Sequence, residues 1–200
     1  MPNAIVSLVV ATTLLLGSPG PATLALAATS GVFGFRGGLP FLAGILAGLA
    51  LAIVLGAFGI AALFEAFPGS RWVVQTLGGL YVGYLAYKVA TAPVLEKGAT
   101  QLEAAPGIRD GFILNLLNPK LYAVFLALFS QFQLPFASPL TSVLATGFVV
   151  YAVAIAVDIA WLALGNGLRP VFQHPKHSRV VRVLFGVLMV AAVAWTFVVP

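Results

Sequence analysis

Lys120 sits in the middle of "GFILNLLNPKLYAVFLALFSQF" (111–132), a run that is otherwise almost wholly apolar. Asn115, Asn118 and Pro119 accompany it, and Asp158 is the one acidic residue placed well inside another apolar run. A third run contains "SPGP" (18–21), with Ser18, Gly20 and Pro21. A charged side chain at the centre of a bilayer costs ~2.5–3.5 kcal/mol on insertion scales, so such residues are functional candidates by default. A half-helix that starts after Pro21 or Pro119 offers free backbone N–H groups and the positive end of a helix dipole, which suit a carboxylate. Lys120 adds to that attraction. Carbonyls freed near Gly17 and Ser18, the side-chain oxygens of Asn115 and Asn118, and Asp158 suit an ammonium group. These parts together fit a zwitterion such as an α-amino acid, bound without specifying its side chain. Asp158 is the candidate partner of Lys120 in a buried ion pair, and also the candidate carrier of a coupling proton.

The elements that hold these residues follow from composition. The 200 residues are 61% hydrophobic and 8% charged, whereas a soluble domain has about 25% charged residues. The mean hydropathy of +1.08 agrees. An integral membrane protein is implied, with no room for a separate soluble domain. A spanning helix needs about 20 apolar residues, so this length holds about six. The apolar runs predict spans near 4–30, 39–64, 71–90, 111–132, 141–165 and 180–199. The first 27 residues end in "ALA" (25–27) but lack the basic segment of a signal peptide, so an uncleaved first helix is expected. Gly44, Gly48, Ala52 and Gly56 in the second span, and Gly79 and Gly83 in the third, have the spacing of close helix packing.

Charge sets the orientation. Arg36, Lys88, Lys97, Arg109, Arg169, Lys176, Arg179 and Arg182 fall at one face, Arg71 alone at the other, and Lys120 within the membrane; these are all ten basic residues. The crowded face should be cytoplasmic, which puts both termini outside. The net charge of +5 thus marks topology rather than nucleic acid; "RPVFQHPKHSRVVR" (169–182) could also touch anionic lipid headgroups, but topology marking alone is the preferred reading. With no cysteine in the chain, disulfides and thiolate metal sites are excluded.

The single transporter-like domain (1–200) divides into two halves, about 1–95 and about 108–200. Pro19 in the first span pairs with Pro119 in the fourth, Gly48 with Gly147, and "SRWVVQTLGG" (70–79) with "SRVVRVLFG" (178–186). Three helices per half is an odd number, so the halves are inverted. Broken helices at matching places in inverted repeats are the sequence pointer to a transport site. A proline within a helix costs ~3 kcal/mol, and irregular backbone at membrane depth persists only where protein or water satisfies it. Tyr81, Tyr84 and Tyr87 share a helix face and either pack or line a pathway. His174 and His177 are read as solvated loop residues rather than a metal site, and Glu65 and Arg71 as a weak surface pair. No cofactor is expected. An enzyme is disfavoured, because both histidines lie outside the spans and Asp158 has no catalytic companion.

At these same residues the sequence resembles the lysine/homoserine exporter (LysE/RhtB) family of bacterial amino-acid exporters. The resemblance rests on "SPGP", "GFRGGLPFLAGILAGLA" (34–50), "GGLYVGYLAYK" (78–88) and "GFILNLLNPKLYAVFLALFSQF", in that order. It covers nearly the whole chain, including the length and the six-helix layout. Where the family has Pro-Gln-Phe at the end of helix 4, this chain has Ser130, Gln131 and Phe132. The resemblance implies efflux of amino acids or related small metabolites across the bacterial inner membrane, driven by the proton gradient. It leaves the substrate open, and a homo-oligomer remains compatible with it. The alternatives are a transporter of the same fold for another small solute or ion, or a membrane assembly factor without flux of its own.

Overall fold

The computed structural model describes residues 2–57, 66–91, 105–173 and 178–198, and among them every element is helical. The helices are α1 (Pro2–Gly17), α2 (Pro21–Ala57), α3 (Pro68–Thr91), α4 (Ile108–Leu116), α5 (Pro119–Gln131), α6 (Pro139–Gly167), the short α7 (Arg169–Gln173) and α8 (Ser178–Val198). By length and composition α6 can cross a bilayer, the Pro21–Gly56 part of α2 is long and apolar enough though it folds back at Gly34, and α4 with α5 makes a further candidate bent by 60°. An all-helical, apolar set of this kind is consistent with a membrane protein, since helices satisfy their backbone groups internally.

α2 is not one straight rod. Gly34 has φ 80° and ψ 170°, a region that glycine enters readily and other residues rarely. A Cβ built on Gly38 would lie 3.5 Å from the Cβ of Ser30. Eight residues of straight helix rise about 12 Å, so the chain must fold back at Gly34. The loop expected between spans 4–30 and 39–64 is thus replaced by a reversal centred on one residue. A side chain there would also meet Arg169, whose Nη1 is 3.0 Å from the position of a Cβ.

Both breaks fall where "SPGP" and "NPK" place them, but their energetics differ from the expected proline penalty. Pro21 and Pro119 each take the first position of the helix that follows. There the missing N–H would have had no helix partner, and the fixed φ is already helical. The positional counterpart of Pro119 is therefore Pro21, not Pro19.

Glycines set the packing. A Cβ on Gly44 would sit 2.0 Å from the Ile108 carbonyl oxygen, and one on Gly111 2.2 Å from that of Phe41, so α2 and α4 meet backbone to backbone. Close approach of this kind holds helices together where lipid supplies no hydrophobic drive. The first half of α2 meets α6 in the same way, through Gly165 against Ala27, and Ser30 Oγ donates to the Leu162 carbonyl at 2.7 Å. In α3 it is Gly78 that touches a neighbour, at Leu117, while Gly83 has open space. Gly147, the expected counterpart of Gly48, meets Ile53 and Phe129, whereas Gly48 meets Phe112 and Asn115 of α4.

Two apolar clusters result. One gathers Leu26, Phe41, Ile45, Leu85, Leu114 and Leu162, the other Leu8, Leu49, Phe125, Leu128 and Val150. Arg182 falls within α8, as the sixth span has it, and is only 3% exposed. The loop residues Lys97, Lys176, His174, His177 and Glu65 lie outside the described residues, as does the side chain of Arg71.

Candidate functional site

The sequence gives α6 a buried stripe at helical spacing, Val150, Ala154, Asp158 and Leu162, and this stripe carries a carboxylate into the interior. Asp158 is 8% exposed. It lines a cavity of about 40 Å³ together with Gly20, Thr23, Asn115, Asn118 and Lys120. Five of the eight predicted residues, Gly20, Asn115, Asn118, Lys120 and Asp158, therefore meet at one cavity. The other three, Ser18, Pro21 and Pro119, are in the two breaks beside it and form no part of its wall.

Lys120 extends from the first turn of α5 across to the break before α2. Its Nζ donates to the Ser18 carbonyl at 2.6 Å and to Ser18 Oγ at 2.8 Å. Gly20 makes room for this reach, since a Cβ there would lie 3.0 Å from Lys120 Cδ and 3.1 Å from Nζ. No ion pair joins Lys120 to Asp158, and Asp158 has no hydrogen-bond partner among the described residues. The proposed direct pairing is replaced by two separate charges: an ammonium held by backbone on one side and a free carboxylate on the other. An ammonium has three donors, so one N–H of Lys120 remains after Ser18 is served.

The two half-helix starts are not equivalent. At α5, the Asn118 side chain caps the helix by accepting from Lys120 N at 3.2 Å, and the Asn118 carbonyl accepts from Leu121 N at 3.1 Å. At α2, Gly20 N–H donates to Thr23 Oγ1 at 2.9 Å, and that hydroxyl donates to the Gly20 carbonyl at 3.1 Å. The Ala22 and Thr23 N–H groups lie in the first turn of α2, where no helix carbonyl reaches them. The α2 start is therefore the anion-ready end, and Lys120 lies against it.

Protein donors take the carbonyls that the breaks release. Trp161 Nε1 donates to Gly17 O at 3.1 Å, Lys120 occupies Ser18 O, and Tyr122 OH donates to Leu116 O. The expectation that the Gly17 and Ser18 carbonyls stand free for an ammonium is not met, because both already have a donor. Asp158 remains as the group suited to a cation. Asn115 donates Nδ2 to Ile45 O at 2.9 Å, which leaves its side-chain oxygen Oδ1 uncommitted.

Sequence reasoning missed Thr23 and Trp161. Thr23 stands two residues beyond Pro21, at the position where a side chain can reach back to the helix start. Trp161 is one turn from Asp158, on the same side of α6. The tyrosine face of α3 lies away from the cavity. Tyr81 OH donates to Asp110 Oδ1 at 3.0 Å, Tyr84 packs on Tyr81 with Lys88 5.4 Å above its ring, and Tyr87 is exposed.

A family model described as "LysE type translocator" matches residues 13–199. The chain is 28% identical over 179 residues to the homoserine/homoserine lactone efflux protein of Salmonella typhimurium, covering 88% of this chain and 87% of that one. It is 25% identical over 174 residues to the cysteine/O-acetylserine efflux protein of Escherichia coli K12, covering 86% and 87%. No solved structure matches it.

Proposed function

The chain belongs to the LysE type translocator family, and from this we propose that it exports amino acids or related small metabolites across the bacterial inner membrane by proton antiport. Its relatives are named as efflux proteins, so it is a transporter rather than an enzyme. The observation that carries the site is the cavity where the Lys120 ammonium and the unpartnered Asp158 carboxylate face a common space.

In this reading the substrate carboxylate docks at the start of α2. The Ala22 and Thr23 N–H groups and the spare N–H of Lys120 receive it, as a helix N-terminus receives any anion. The substrate ammonium meets Asp158. Ser18 fixes Lys120, Asn118 holds the start of α5, and Asn115 fastens α4 to α2. Pro21 and Pro119 set the directions of the two half-helices. When substrate leaves, a proton on Asp158 replaces the ammonium, which couples the two fluxes through one carboxylate.

The architecture in this reading is six spans in two inverted halves, about 1–95 and about 108–200, with both termini outside. A cavity of about 40 Å³ holds on the order of three waters, less than an amino acid needs. The two apolar clusters beside it must therefore separate in turn to admit substrate from either side.

Counterflow in proteoliposomes loaded with a mixture of the common amino acids tests the reading. Exchange of one or a few labelled amino acids is expected. No exchange by folded protein would contradict it.

A further inference from the structure

Resting on the transporter reading above, though not on its substrate, we infer that Thr12 and Thr29 line the two watered paths that open in turn from the cavity to the two faces. Both side chains are in the interior, 0% and 1% exposed. Their hydroxyls are buried and have no hydrogen-bond partner among the described residues. In a helix a threonine hydroxyl commonly donates to the carbonyl one turn back. Thr13, Thr91 and Thr146 do so, to Val9, Tyr87 and Ser142. Thr12 and Thr29 do not.

The two hydroxyls flank the cavity. Leu8, Thr12 and Leu16 recur on one stripe of α1. Leu16 lines the cavity, and Leu8 belongs to the cluster with Leu128 and Val150. Thr12 is therefore one turn, about 6 Å, from the cavity wall on the way into that cluster. On α2, Ala22, Leu26 and Thr29 share a stripe. Ala22 lines the cavity, and Leu26 belongs to the cluster with Phe41, Leu114 and Leu162. Thr29 is two turns, about 10 Å, from the wall on the way into that second cluster. The order repeats along α6, with Val150 in the first cluster, Asp158 at the cavity, and Leu162 in the second. The Leu162 carbonyl accepts from Ser30, the neighbour of Thr29, so the two threonines stand on opposite sides of Asp158.

An unpaired hydroxyl in a dry cluster has given up its water and gained no partner. It destabilises the closed form, and the loss is recovered when the cluster parts and water enters. Each threonine thus favours the open form of its own path over the closed form. That is the differential interaction a conformational change needs. Valine, of nearly the same shape, fills the same space and has no hydroxyl to leave unpaired.

The experiment is labelling of single cysteines in inserted protein by a membrane-impermeant thiol reagent, applied to one face at a time. Thr12→Cys should react from the face that holds the start of α6, and Thr29→Cys from the face that holds the Gly34 reversal. Ala27→Cys, equally buried but in the seam with Gly165, should react at least about tenfold more slowly than Thr29→Cys, since only a loss of helix packing exposes it. No reaction at either threonine position, or equal reaction at Ala27, would overturn the inference. Thr12→Val and Thr29→Val provide a second readout: each should melt about 2–4 °C above wild type and exchange substrate several-fold more slowly. A lower melting temperature, or exchange at the wild-type rate, would overturn the inference as well. Labelling needs no substrate, so labelling from opposite faces without any amino-acid exchange would remove the amino-acid reading alone.

Discussion

Gly20 is the residue on which the geometry of the Lys120 ammonium turns. A methyl group there lands on the far end of a flexible side chain, at Lys120 Cδ and Nζ, so the fold can absorb it but the contact with Ser18 cannot. Gly20→Ala should lower transport several-fold while shifting the melting temperature by no more than about 2–4 °C, the equivalent of about 1 kcal/mol in a chain of this size. Unchanged transport would show that the position of Lys120 is not critical. Lys120, Asn118 and Asp158 were legible in the sequence because polar groups stand out against an apolar run. Whether Lys120 and Asp158 touch was not legible, since spacing along the chain fixes neither the reach of a lysine nor the hydrogen bonds that Ser18 offers. Thr23 and Trp161 were missed because each acts on backbone atoms, which a sequence does not display.

At the scale of elements, the α2–α4 seam is where a small change should cost most. A Cβ on Gly111 meets the Phe41 carbonyl, which is backbone and cannot swing aside. Gly111→Ala should therefore destabilise by about 1–3 kcal/mol or block insertion, as overpacking does. Gly83→Ala, which enters open space, should stay within about 0.5 kcal/mol of wild type. Thermal melting of both variants in detergent checks the contrast, and equal stability would remove the seam from the account. The helix breaks were legible because proline and glycine punctuate a chain. A turn between the first two spans was legible as well, but not its confinement to Gly34, since that depends on a φ of 80° that spacing does not show. The SPGP break makes a further demand: Ser18 and Pro19 are exposed, and non-helical backbone at membrane depth must face water or protein rather than lipid. Ser18→Cys should accordingly react with a water-soluble thiol reagent in intact vesicles, and a lack of reaction would place that break against lipid or protein.

For the whole molecule, composition carried the membrane assignment, and the spread of Lys and Arg is the basis of the proposed orientation. The chain has no cysteine of its own, so single cysteines report sidedness cleanly. Ser138→Cys, at the cap of α6, should be labelled by an impermeant reagent on intact cells. Arg36→Cys, beside the Gly34 reversal, should be labelled only after the cells are opened. The reverse pattern would invert the topology. The burial of Arg182 shows where a charge count alone misleads, because it cannot separate a helix-end charge in water from one folded into a helix interface.

The measurement that tests the central claim most directly is counterflow of the exchanging amino acid in Lys120→Ala and Asp158→Asn, each shown to be folded and inserted. Both should lose flux by roughly a hundredfold, the effect of removing one partner from a buried charge pair with substrate. Wild-type rates in both variants would contradict the site.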